Sequence, residues 1–221
     1  MRLLRAGMGG HEAIAALDFE RLNALHQEMQ ALDQDEEITW HILPLAFNFI
    51  LHYRVWGEGA RLVPQLLAAY ERVNPSGSLF ANARVRQWLA LAAVEAGQLR
   101  LASQESLAAL KLIEQMAGYA LLKGYFQTTQ AEVVYQWNRL EEARSRLQTV
   151  IADAATWQQS DLLTMGSLAL MKVELASGNL SAVELSLHEF ELLEEYRGYG
   201  GNWRWLPVIR ARWWLAQGQV R

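Results

Sequence analysis

Between Asn138 and Leu147 the apolar or small residues Leu140, Ala143 and Leu147 stand three and four positions apart, and Glu141, Glu142, Arg144 and Arg146 fill the places between them. At about 3.6 residues per turn this spacing turns one stripe inward and the charges outward, so the segment reads as an amphipathic helix. The same arrangement returns along the chain. Gly57 lies in VWGEGARLVPQLL, Gly97 in EAGQLRLASQESL, Asn138 in QWNRLEEARSRL, Gly178 in ASGNLSAVELSL and Gly218 in AQGQVR, at steps of 40, 41, 40 and 40 residues. In each case a helically periodic segment ends at Gly or Asn, the residues that tolerate the left-handed conformation of a helix C-cap. Two positions later comes Leu99, Leu140, Leu180 or Val220, which opens a second segment. Each unit is therefore a helical hairpin, and the regular interval marks a repeat array.

Proline and glycine mark the longer joints between units, at Asn74-Pro75-Ser76-Gly77, near Gly118 and at Arg197-Gly198-Tyr199-Gly200-Gly201. Helices are predicted at about 12–26, 39–56, 60–73, 79–96, 99–117, 121–137, 140–155, 160–177, 180–195 and 203–217. No segment alternates as a strand does. The predicted fold is all-α: a right-handed superhelical solenoid of about five hairpins over residues 1–221, one repeat domain. Its first good helix, Asp18–Met29, matches the second helix of a unit, and its last carries Trp213 and Trp214 with no second helix to follow. An end without a polar cap leaves apolar surface exposed, so the chain is expected either to be a segment of a longer array or to self-associate through its ends.

Composition narrows the function classes. Hydrophobic residues make up 52% and charged residues 20% of the 221, enough for a packed core. A net charge of −4 and a pI near 5.8, with no Lys/Arg block, argue against direct nucleic-acid contact from this segment. The absence of cysteine removes disulfides, thiolate metal sites and a Cys nucleophile, and fits a reducing cytoplasm. MRLLRAGMGG is too short a run for a secretory signal, and the apolar WHILPLAFNFILHY, broken by proline and histidine, falls short of the ~20 residues of a membrane span. A soluble cytoplasmic protein is expected.

Candidate chemistry is sparse. His41 and His52 share a helix face with Leu45 and Asn48, but eleven helical residues span about 16 Å, too far for one metal ion. Asp33, Asp35, Glu36 and Glu37 precede a helix, where negative charge favours its dipole. GYGGNWRW has flexible backbone but lacks the lysine and strand context of a phosphate loop, and reads as a joint between repeats. No catalytic motif, metal or cofactor is expected. Trp56 and Trp137, each one residue before a turn, read as packing residues, and Trp213 and Trp214 as facing a neighbouring helix. The richer signal lies thirteen, nine, six and two residues before each turn, positions that share one helix face. These are Arg84, Trp88, Leu91 and Glu95, then Tyr125, Thr129, Glu132 and Gln136, then Met165, Ala169, Lys172 and Ala176, and last Trp205, Ile209, Arg212 and Ala216. Arg84, Trp88, Tyr125, Thr129, Glu132, Gln136, Lys172, Trp205 and Arg212 are therefore the candidate groove residues. Aromatic faces suit sugar rings or peptide side chains, and amides and charges set orientation.

The units look like tetratricopeptide-type repeats, although about 34 residues is usual there. Three stretches, AEVVYQWNRLEEARSRL, LALMKVELASGNLSAVELSL and VIRARWWLAQGQV, more closely resemble the helical-repeat region of MalT-like, LuxR-family ATP-dependent transcription activators. In that family a nucleotide-binding domain precedes the repeats, a DNA-binding helix-turn-helix follows them, and the repeats sense an inducer or a regulatory protein. Here no G-x-x-x-x-G-K-[ST] motif and no basic recognition helix occurs. The resemblance thus implies a non-catalytic sensor or scaffold segment that binds a protein, a peptide or a small inducer such as an oligosaccharide. A free-standing peptide-binding adaptor is the alternative.

Overall fold

The computed structural model describes Glu20, Ala24 and residues 57–74, 78–116, 123–197 and 205–218, with backbone alone at 161, 190–197 and 205. The helices predicted at 12–26 (Glu20 and Ala24 apart) and 39–56 lie outside these residues, as do His41, His52, the Asp33–Glu37 carboxylates, Trp56 and the 198–204 loop. Within them the chain forms a 3-10 turn, Gly59–Leu62, and eight α-helices: α1 Val63–Val73, α2 Leu79–Glu95, α3 Leu99–Glu114, α4 Lys123–Gln136, α5 Leu140–Thr156, α6 Ser160–Ala176, α7 Leu180–Arg197 and α8 Trp205–Ala216. No strand occurs among the described residues.

Helix starts follow local chemistry. Pro64 stands in the first turn of α1, where the missing N–H costs nothing, so the α-helix begins there and the preceding turn is 3-10 rather than α as predicted. Ser78 caps α2 by accepting from the Ala81 N–H at 3.3 Å. Asn74, at the end of α1, accepts from Asn82 Nδ2 at 3.1 Å and ties the two helices across their joint.

Every turn residue assigned from the periodicity has a left-handed backbone: φ is 71° at Gly57, 71° at Gly97, 59° at Asn138, 74° at Gly178 and 73° at Gly218. At Gly97 the chain closes α2 with a Schellman pair of bonds, Gly97 N–H to the Val94 carbonyl at 3.0 Å and Gln98 N–H to that of Ala93 at 2.8 Å. The Gln98 carbonyl then accepts from the Ala102 N–H at 3.0 Å, so one residue ends α2 and starts α3. Asn138–Arg139 and Gly178–Asn179 repeat this pattern. So does Gln158–Gln159 between α5 and α6, with φ 54° at Gln158, a turn the residue type does not announce.

Consecutive helices pack together, and the alternate helices α2, α4, α6 and α8 also touch in a row. Burial divides the elements accordingly. α2 buries eleven of its 17 residues and α4 nine of its 14, whereas α3 buries five of 16 and α5 four of 17. The odd-numbered helices α3 and α5 thus lie outside, each held by one stripe: Ala102, Ser106, Ala109 and Ile113, or Ala143, Leu147, Val150 and Ala154. Gly124 and Gly166 allow close approach; a Cβ at Gly124 would run into the Leu162 side chain, and one at Gly166 would stand 3.0 Å from Ile151 Cγ1.

Candidate functional site

The predicted stripe falls on α2, α4, α6 and α8, the helices that form the row, and polar bonds join their faces. Gln87 on α2 donates from Nε2 to the Tyr125 carbonyl at 3.0 Å and to Thr129 Oγ1 at 3.2 Å, both on α4. Lys172 on α6 donates from Nζ to both carboxylate oxygens of Glu132 on α4, at 2.7 and 2.6 Å. Gln136 donates to the same carboxylate at 3.2 Å, and Lys172 also lies 5.4 Å from the centre of the Tyr135 ring. Both members of the ion pair are largely withdrawn from water, which strengthens their attraction and makes either one costly to leave alone.

The nine candidates divide by exposure. Trp88 and Thr129 are buried, Trp88 in the core formed with Leu66, Val85 and Leu89, so they shape the row from beneath. Glu132 is buried and acts by holding Lys172. Arg84, Tyr125 and Lys172 are half-buried, with Arg84 donating to Gln87 at 2.8 Å and lying 5.3 Å from the Trp88 ring centre. Gln136 and Arg212 are exposed, and the side chain of Trp205 lies outside the described residues. The surface the row offers is therefore two guanidiniums, an ammonium, a phenol and an amide: hydrogen-bond donors beside an aromatic ring.

The tryptophans expected at packing positions differ. Trp213 packs against the core cluster that includes Leu187 and Ile209 and donates from Nε1 to the Leu180 carbonyl at 3.1 Å, meeting its neighbouring helix as predicted. Trp137 is instead exposed, just beyond the end of α4, with the Arg139 guanidinium 5.4 Å from its ring centre. Trp214 is also exposed.

Sequence reasoning missed a second set of buried polar residues, which join inner to outer helices. Arg86 reaches from α2 to Glu105 on α3 and to the Tyr70 hydroxyl on α1, its guanidinium 4.2 Å from the centre of the Tyr70 ring. Ser106 on α3 donates to Gln130 on α4 at 2.5 Å. Arg144 on α5 donates to Glu174 on α6 at 2.7 and 3.2 Å and to Ser177 at 2.9 Å. Hydrogen bonds to Glu174, then to Glu141, hold the Arg144 guanidinium well above its ordinary value. The available signal was a charge at a position the 3.6 period turns inward, as at Glu105 and Glu174.

Among the described residues no group of three or more His, Asp or Glu could hold a metal ion, and no helix is long and apolar enough to cross a membrane. Comparison with protein-family models, with curated proteins and with solved structures gave no match.

Proposed function

We propose that this chain is a non-catalytic binding module, the sensor or scaffold segment of a MalT-like transcription regulator, with its hairpins stacked as a right-handed solenoid of tetratricopeptide-like repeats. One observation carries the reading. The inner helices touch in an unbroken row, and the residues singled out for a groove lie along that row, coupled across helices by Gln87 to Tyr125 and Thr129, and by Lys172 to Glu132. A row of this kind sets Arg84, Tyr125, Lys172 and Arg212 on neighbouring helices, which favours a ligand that meets several of them at once. A ligand that bound one arrangement of the row better than another would shift the regulator between resting and self-associating states by that difference.

Titration of intrinsic tryptophan fluorescence against oligosaccharides and short peptides, with Arg84→Ala and Tyr125→Ala as controls, tests this reading. A saturable response to a sugar, weakened in both variants, is expected of an inducer sensor. Saturation by peptides alone assigns the row to an adaptor instead. No response to either panel leaves a scaffold that meets whole proteins, and overturns the sensor reading.

A further inference from the structure

We draw no further inference here: the strongest candidate, the cavity of about 560 Å³ between α7 and α8 lined by Glu184, His188, Arg210, Trp213 and Trp214, opens beside the last described helix, and nothing in the structure shows what covers or fills it.

Discussion

Single residues decide where this chain turns. Gly97 has φ 71° and an added Cβ there would meet nothing within 4 Å, so a substitution is opposed by backbone conformation alone. Gly97→Ala is expected to cost about 1 kcal/mol, read as a lower urea midpoint at unchanged slope. The converse holds at Gln158, a side-chain-bearing residue held at φ 54°. Gln158→Gly is expected to raise stability by about 0.5 kcal/mol, since relief of the left-handed strain outweighs the added freedom of the unfolded chain. A loss of stability there would show that the Gln158 side chain contributes more than its backbone costs. The glycine and asparagine turns were legible because their residue types advertise the conformation. Gln158 was not: its turn is closed by the same Schellman bonds as the others, but glutamine gives no sign of a left-handed backbone.

At the scale of helices, stability rests on close approach and on polar links across junctions. Gly124→Ala adds a methyl group against the buried Leu162 side chain, so that side chain or the spacing of α4 and α6 must give way. A loss of about 1–3 kcal/mol is expected despite the better helix propensity of alanine, measured by denaturant unfolding. Glu132→Gln removes the negative charge that Lys172 pairs with in a largely dry site, and a loss of about 3 kcal/mol is expected. The double variant Glu132→Met, Lys172→Leu should recover most of it, because burying two apolar chains avoids the desolvation of both charges. If the double variant is no better than the single one, the pair contributes by attraction rather than by avoiding an isolated charge. Most helix bounds were legible to within two or three residues, since 3.6 periodicity and the turn residues agree; α6, for example, runs Ser160–Ala176 against an expected 160–177. The packing partners of Glu105 and Glu174 were not legible. A charge on an inward position can be recognised in one helix, but its partners Arg86 and Arg144 lie 19 and 30 residues away, brought near only by the fold.

For the molecule as a whole, the arrangement of helices in two roles gives the candidate site its form. The inner helices touch one another and carry the candidate residues; α3 and α5 pack on them from outside by a single stripe. The periodicity placed the candidates on the inner helices, but did not tell which of them stay accessible: Trp88 and Thr129 satisfy the same spacing as Arg84 and Gln136 and are nevertheless buried. The central claim is that ligand contact lies along the inner row. Amide hydrogen exchange, followed by mass spectrometry with and without a saturating oligosaccharide or peptide from the titration, tests it most directly. Slower exchange concentrated in α2, α4 and α6, and lost in Tyr125→Ala, is the predicted result. Protection confined to α3 and α5, with the inner helices unchanged, would contradict the account.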